Sequence, residues 1–335
     1  MESIFKRLES GQDLAMHEMS EAIGAIMDGK WTEEQIGRFL LALHEKGETV
    51  AEVAGAAAAM REHVTPIRHH REILLDTCGT GGDGSRTFNI STAAALVAAA
   101  AGVPVAKHGN RAATSRSGSA DALAALGVNI EADVHQVETC LEELGICFCF
   151  APLLHKAMRY VAPVRKRLGV PTIFNILGPL ANPAGAPFQL VGVGRSQLRP
   201  LMAEALAILG ARRAVVVHGE DGLDEVTLNG TTFATDIGGG QTRQWSWTAA
   251  DFGLAGCSLD TLVVEDAAQS AATIRGVLRG ERGPARDIVL ANAAAALWTA
   301  GKADSLVACA RAAAEAIDSG AAEGLLARLA EMSRR

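Results

Sequence analysis

Glycine occupies four of the six positions in Gly79-Thr80-Gly81-Gly82-Asp83-Gly84, directly after the apolar run Ile73, Leu74, Leu75 and the pair Asp76-Thr77 with Cys78. A glycine-rich loop at a strand end exposes backbone N–H groups to a phosphate, and Asp83 adds a carboxylate for a metal or a hydroxyl. Gly79, Gly81 and Gly84 also satisfy the G-x-G-x-x-G spacing of a dinucleotide-binding turn. The context excludes that reading. Residues 85–90 intervene before the next helix, and the following strand ends in Lys107-His108-Gly109, where a dinucleotide fold carries an acidic residue for the ribose. Asn89-Ile90-Ser91-Thr92 then opens an Ala-rich helix. Each of these residues alone reads as a cap. A helix N-terminus behind a glycine loop also offers N–H groups and a positive dipole end to an anion, with the hydroxyls of Ser91 and Thr92 as further donors.

Lys107-His108-Gly109-Asn110-Arg111 follows the next predicted strand, and Ser115-Arg116-Ser117-Gly118-Ser119 comes soon after. The chain has only seven lysines, so Lys107, His108 and Arg111 within five residues read as an anion-binding loop, although a lone histidine is more often structural. Both loops would lie at the C-terminal edge of a parallel sheet, where such folds bind ligands. His218-Gly219-Glu220-Asp221-Gly222-Leu223-Asp224-Glu225 follows a further apolar strand. Its carboxylates are either a solvated acidic turn or the protein's share of a Mg²⁺ site completed by substrate phosphates and water. No Walker A lysine motif is present, so the pattern is not that of a P-loop nucleotidase. Arg165, within Val161-Ala162-Pro163-Val164-Arg165-Lys166-Arg167, precedes a proline- and glycine-rich connection and could present a guanidinium fork to a substrate carboxylate.

The hydrophobic pattern supplies the frame for these residues. Residues 4–64 read as helices: Leu14, Ile23, Ile26 and Met27 share one face, and Ile36, Phe39, Leu40 and Leu43 recur at helical spacing. Thr32 and Gln35 have the spacing of a capping box. After the basic stretch 68–71 the pattern alternates: strand 73–75, helix 91–101, strand 103–106, helices 120–126 and 134–144, strand 147–150, helix 155–168, strand 190–193, helix 197–209 and strand 214–218. This predicts an α/β fold, with a small N-terminal helical domain (1–66) and a large α/β domain (72–335) whose mostly parallel central sheet is covered by helices. The Pro/Gly/Asn-rich residues 169–188 read as a hinge, residues 231–247 as a hairpin, and the rest of the chain as Ala-rich helices.

Composition bounds the partners. The 335 residues accommodate about two domains. With 49% hydrophobic and 21% charged residues the chain is globular, and with nine Phe, four Trp and one Tyr its core must be aliphatic and Ala-rich. A net charge of -7 argues against generic attraction to nucleic acid or an anionic membrane, so a polyanion must be held by a shaped site. Six cysteines without C-x-x-C spacing read as reduced thiols of a cytoplasmic protein. The first residues lack a signal-peptide pattern, and the longest apolar run, 93–106, contains Gly102 and Pro104 and is too short to span a membrane.

In this order and spacing, Gly79-Thr80-Gly81-Gly82-Asp83, Asn89-Ile90-Ser91-Thr92, Lys107-His108-Gly109-Asn110-Arg111, Arg165, Phe174-Asn175-Ile176-Leu177-Gly178-Pro179-Leu180 and Gly222-Leu223-Asp224-Glu225 resemble the anthranilate phosphoribosyltransferases of tryptophan biosynthesis. The resemblance runs through essentially the whole chain. Thr114 and Arg116 depart from the family's common Ser and Lys, and Pro171 stands where a basic residue is frequent. The resemblance implies a nucleoside phosphorylase/phosphoribosyltransferase-like architecture, a helical domain completed by part of the 165–188 region, and a homodimer formed through that domain. It implies transfer of the phosphoribosyl group of phosphoribosyl pyrophosphate to the amine of anthranilate, with two Mg²⁺ ions. It also implies roles by residue. Gly79, Gly82, Asp83, Thr87, Asn89, Ile90, Ser91 and Thr92 would hold phosphoribosyl pyrophosphate, as would Lys107, His108, Gly109, Asn110, Arg111, Ala112, Ala113, Thr114 and Ser115 with Ser119. Ser91, Asp224 and Glu225 would hold the metals, and Asn110 and Arg165 would contact anthranilate.

An aromatic amine is neutral at pH 7, so this chemistry needs positioning and electrostatics more than a base. The sequence accordingly shows no dedicated acid/base signature. Two rivals share the general pattern: a pyrimidine nucleoside phosphorylase, which the carboxylate pair and the full Lys107–Arg111 motif disfavour, and a non-catalytic nucleic-acid-binding relative, which should be basic and should lack motif residues.

Overall fold

The structure is a computed structural model and describes residues 1–112 and 116–335. The expected loop residues Ala113, Thr114 and Ser115 lie outside the described residues. The N-terminal unit consists of α1 (Glu2–Glu9), α2 (Met16–Met27), α3 (Glu33–Lys46) and α4 (Val50–His63). The capping box at α3 forms as its spacing requires: Gln35 N donates to Thr32 Oγ1 at 3.3 Å and Thr32 N to Gln35 Oε1 at 2.9 Å.

Strands and helices then alternate: β1 (Leu75–Gly79), α5 (Ile90–Ala100), β2 (Val105–Gly109), α6 (Ser119–Ala125), α7 (Val134–Leu144) and β3 (Ile146–Phe150). There follow α8 (Ala151–Leu154), α9 (Ala162–Leu168), α10 (Phe174–Leu177), β4 (Phe188–Gly192), α11 (Leu198–Ile208) and β5 (Arg213–Gly219). The hairpin β6 (Thr232–Gly238) and β7 (Gln241–Trp247) precedes α12 (Ala267–Leu278), α13 (Pro284–Thr299), α14 (Leu306–Asp318) and α15 (Ala321–Met332).

Among the described residues the strands form one sheet in the order β3-β2-β1-β4-β5-β6-β7. β1 to β5 pair in parallel and the hairpin is antiparallel. The chain moves outward from β1 to β3, then returns to place β4 on the other side of β1. The C-terminal ends of β1 and β4 therefore flank a topological switch point, where the connections diverge and leave room for a ligand. Period-2 alternation sends neighbouring side chains into different cores. Leu190 and Val215 join Leu96, Ile288 and Leu297 on one face. Val191 and Val216 join α11 and the N-terminal helices on the other, together with Val164, Phe174, Ile176 and Leu177. A small helical unit thus packs against one face of a larger α/β unit whose sheet is covered on both sides.

Some expected boundaries change. The strand expected at 103–106 is Val105–Gly109, because Pro104 has no N–H for the ladder; Lys107 and His108 are strand residues and point to opposite faces. The strand expected at 73–75 is Leu75–Gly79, which brings Asp76 and Cys78 into the sheet. The single helix expected at 155–168 is a 3₁₀ turn, Lys156–Tyr160, followed by α9. Pro163 would clash with the carbonyl one turn earlier in a continuous helix, so the helix restarts with proline in its first turn.

Candidate functional site

The loop after β1 and the acidic turn after β5 are laced together at the switch point. Asp224 Oδ2 accepts the Gly81 N–H at 2.8 Å, and the Asp224 N–H donates to Asp83 Oδ2 at 3.4 Å. Gly79 pairs with Gly192 across β1 and β4, and Asp224 sits in the notch left by these two residues. A Cβ at Gly79 would lie 2.5 Å from Asp224 Oδ2, and one at Gly192 would overlap the Asp224 carbonyl oxygen. Gly82 is different: its φ is +75° and its Cβ direction is open. The N–H groups of Gly82, Asp83 and Gly84 donate to nothing among the described residues, which leaves them available to an anion.

The first turn of α5 is organised differently from the expectation. Glu225 Oε1 accepts the Ser91 N–H at 3.0 Å, while the Ile90 and Thr92 N–H groups donate to the carbonyls of Phe88 and Asn89. The helix N-terminus is thus capped by the protein's own carboxylate, which its dipole favours, and its first N–H groups are not free. Ile90 and Thr92 are buried, and Thr92 Oγ1 has no hydrogen-bond partner among the described residues. Asn89 makes no side-chain cap; its Oδ1 instead accepts from Ser117 Oγ at 2.6 Å and Ser270 Oγ at 2.8 Å.

Lys107, His108 and Arg111 also diverge. The Lys107 ammonium is buried, donates to the Thr77 carbonyl and stands 3.5 Å from Ser91 Oγ. His108 points to the other face of the sheet, with Nδ1 at 3.0 Å from the Gly178 carbonyl. Arg111 is exposed, pairs with Asp121 at 3.0 Å and lies over the Phe150 ring. Asp121 also accepts the Ala112 and Gly118 N–H groups at 2.9 and 3.1 Å and so shapes the loop. The Asn110 carbonyl accepts from Ala120 N and Ser119 Oγ, and a Cβ at Gly109 would collide with Ser119 Oγ. Thr87 Oγ1 stands 3.3 Å from Ser85 Oγ. Arg165 makes no hydrogen bond or ion pair with these residues; from α9 its Nη2 donates to Asn175 Oδ1 at 3.0 Å, and its guanidinium lies 6.0 Å from the centre of the Phe174 ring.

Burial pushes the Glu225 carboxyl up to about 7, against the opposing pull of Lys107 and Ser91. Burial, then the charges of Asp83 and Glu225, hold the Asp224 carboxyl well above the usual range. Both carboxyls therefore resist ionisation chiefly because they are buried, and a cation beside them would favour their charged forms. Among the described residues no group of three or more His, Cys, Asp or Glu is arranged to hold a metal by itself. The donor set of Asp224, Glu225 and the Ser91 hydroxyl is all oxygen and incomplete, which fits a hard divalent cation whose remaining positions go to phosphates and water.

Several positioning residues carry no role that the sequence alone assigns. Asp76 is fully buried and accepts the His108 N–H at 3.1 Å and Asn182 Nδ2 at 2.7 Å, tying β1 to β2 and to the 169–188 connection. Gly192 and His155 likewise meet partners distant in sequence, which spacing does not reveal, whereas Asn175 reaches Thr172, three residues away, and Arg165, ten away. Asp121 is detectable, because it stands three residues after Gly118 at a helix start.

Residues 2–64 match the helical bundle domain of the glycosyl transferase family, and residues 71–323 match its a/b domain. The anthranilate phosphoribosyltransferase of Rhodopirellula baltica is 51% identical, over 96% of this chain and 94% of its own. That of Anaeromyxobacter sp. strain Fw109-5 is 52% identical, over 98% and 97%. The chain belongs to the anthranilate phosphoribosyltransferase family. The crystal structure of the Thermus thermophilus member covers 99% of both chains at 46% identity, with a TM-score of 0.94. The Saccharomyces cerevisiae member in complex with PRPP and Mg covers 99% of this chain and 97% of its own at 29% identity, with a TM-score of 0.90.

Proposed function

We propose that the chain transfers the phosphoribosyl group of 5-phosphoribosyl 1-pyrophosphate to the amine of anthranilate, giving N-(5-phosphoribosyl)anthranilate and pyrophosphate in tryptophan biosynthesis. The observation that carries this reading is the lacing of Asp224 to Gly81 and of Glu225 to Ser91, which sets an oxygen donor set against an open N–H cradle at the switch point. Membership of the family and the PRPP- and Mg-bound yeast relative support it.

The amine lone pair attacks the anomeric carbon as the bond to pyrophosphate breaks, the electron pair leaves with pyrophosphate, and the amine gives up one proton. Gly79, Gly82, Asp83 and Thr87, the Asn89–Thr92 turn and the Lys107–Ser115 loop with Ser119 would hold the phosphoribosyl donor. Within that set, Gly82 and Asp83 would supply backbone N–H groups, with that of Gly84 beside them, while Lys107 sets a buried positive charge 3.5 Å from Ser91 Oγ. Ser91, Asp224 and Glu225 would hold Mg²⁺, as two ions. Bound Mg²⁺ would supply counter-charge for the departing pyrophosphate. Arg165, kept in place by Asn175, would receive the anthranilate carboxylate, with Asn110 near the amine. Closure of the helical unit, residues 1–66 with part of 165–188, over the 72–335 unit would exclude water from the cationic ribosyl carbon.

We also infer a homodimer formed through the helical unit, as the resemblance implies, and a cytoplasmic setting, supported by free cysteines throughout the described residues. No helix among the described residues is long and apolar enough to cross a membrane. The net charge of -7 supports small-molecule substrates over nucleic acid. Mass-spectrometric detection of phosphoribosylanthranilate, formed only when both substrates and Mg²⁺ are supplied, tests the assignment.

A further inference from the structure

Between Ile288 and Trp298, helix α13 carries one polar side chain, Asn292, and it is fully buried. A buried amide is costly unless its hydrogen bonds are made, so its partners matter. Asn292 Oδ1 accepts the Val226 N–H at 2.8 Å. Its Nδ2 donates to the Val226 carbonyl at 2.9 Å and to the Ile288 carbonyl, one turn back in α13, at 2.9 Å. These partners fix the orientation of the amide, because an N–H must meet Oδ1 and the two carbonyls must meet Nδ2. Val226 is itself fully buried and lies in neither helix nor strand, so no ladder satisfies its backbone. One side chain, 66 positions further along the chain, supplies a partner to both of its polar groups.

Val226 directly follows Asp224 and Glu225. On the other side of the pair, the Leu223 carbonyl accepts the Gly219 N–H from the end of β5 at 2.9 Å. The two carboxylate residues thus bridge a fixed point on the sheet and a fixed point on α13. The Val226 N–H lies in the peptide plane that begins at Glu225, so holding it sets the direction in which the Glu225 side chain leaves the backbone. That side chain is the one that meets the Ser91 N–H at the start of α5, and α5 and α13 share one core through Leu96, Ile288 and Leu297. We propose that Asn292 is a positioning residue for the acidic turn: by holding both backbone groups of Val226 it fixes where Asp224 and Glu225 stand against Ser91. Thr227 keeps an anchor of its own, its N–H donating to Thr232 Oγ1 at 2.9 Å, so loss of Asn292 frees Val226 without unravelling the loop. The consequence for Mg²⁺ rests on the function proposed above; the hold on Val226 does not.

The test compares wild type with Asn292→Leu, which keeps the shape of the side chain and removes its polar atoms, and with Leu297→Ala, which damages the core of the same helix away from Val226. Hydrogen-exchange mass spectrometry of peptides covering residues 221–230 reads the hold directly. Asn292→Leu should gain about one deuteron at short exchange times, and Leu297→Ala none, although its melting temperature falls. The Mg²⁺ concentration for half-maximal velocity should rise about 10-fold or more in Asn292→Leu, as when a partner that orients a metal ligand is lost, with KM for anthranilate nearly constant. Leu297→Ala should leave that Mg²⁺ concentration unchanged. If Asn292→Leu does not fold, Asn292→Ala, favoured in this Ala-rich helix, takes its place with the same expectations. Unchanged exchange, or an unchanged Mg²⁺ requirement in the Asn292 variant, overturns the proposal. An equal Mg²⁺ shift in Leu297→Ala also overturns it, since any damage to the core would then suffice. Faster exchange at Val226 in a chain whose wild type does not turn over anthranilate would instead refute the proposed function and leave the hold on Val226 standing.

Discussion

Glu225 Oε1 accepts the Ser91 N–H at 3.0 Å, joining two residues 134 positions apart in the chain. The contact gives the positive end of the α5 dipole an internal carboxylate and keeps that carboxylate beside the Ser91 hydroxyl. On the function proposed above, the helix N-terminus would act on the substrate through Glu225 and the Mg²⁺ proposed there, more than through its own N–H groups.

Removal of either carboxylate should therefore abolish metal-dependent turnover. Asp224→Ala and Glu225→Ala are each expected to lose roughly 100-fold or more in kcat/KM, since a charge-stabilising group is lost from a site with no substitute for it. Circular dichroism should show the fold unchanged. Chelation of the wild type should give the same loss, reversed by Mg²⁺, and full activity of Asp224→Ala in ordinary Mg²⁺ would refute the roles given to the acidic turn.

The two loop glycines should fail in different ways. A Cβ at Gly79 strikes the Asp224 carboxylate, so Gly79→Ala should mimic Asp224→Ala in its Mg²⁺ titration. Gly82 has open space but a left-handed backbone at φ +75°, so Gly82→Ala should cost about 1 to 2 kcal/mol of local strain. It should raise KM for phosphoribosyl pyrophosphate without altering the Mg²⁺ requirement. Identical profiles for the two variants would show that the notch around Asp224 has no role of its own.

Arg165→Ala should weaken anthranilate far more than phosphoribosyl pyrophosphate, because a hydrogen-bonded charge lost from a closed site costs about 2 to 5 kcal/mol. Arg165→Lys should recover only part, since an ammonium cannot present a planar fork. Steady-state KM values for both substrates decide this: equal losses would mean that Arg165 serves closure or folding, and that another group reads the carboxylate.

The motifs are legible in the sequence because glycine clusters, hydroxyl-rich helix starts and acidic turns are local patterns. So is the α/β frame, since the hydrophobic period changes near residue 70. What is not legible depends on contacts between distant segments. Nothing in residues 89–92 announces that Glu225 will occupy the Ser91 N–H, and nothing near Lys107 shows that it and His108 face opposite sides of the sheet. The 155–168 segment misleads for a local reason: its apolar spacing is helical, but Pro163 interrupts the hydrogen bonding that a single helix needs.

Acid should destabilise the fold through the histidine pair. Burial depresses His108 from 6.5 to about 3 and His155 from 6.5 to about 4, so below the ordinary value the unfolded chain binds protons that the folded one refuses. The stability this provides is complete above pH ~6.5 and is lost as pH falls toward 4, at roughly 1 kcal/mol per pH unit for each ring. Thermal or urea unfolding between pH 7 and 5 should show this slope, and His155→Phe should flatten it. An unchanged slope in the variant would mean that other groups govern acid stability.

Phosphoribosyl transfer to anthranilate is read out by the loss of anthranilate fluorescence on adding phosphoribosyl pyrophosphate and Mg²⁺. A steady fall in fluorescence, matched one for one by pyrophosphate release, stopped by chelation and absent in Asp224→Ala, is the expected result. No loss of anthranilate under those conditions, together with phosphorolysis of thymidine by the same preparation, would contradict it.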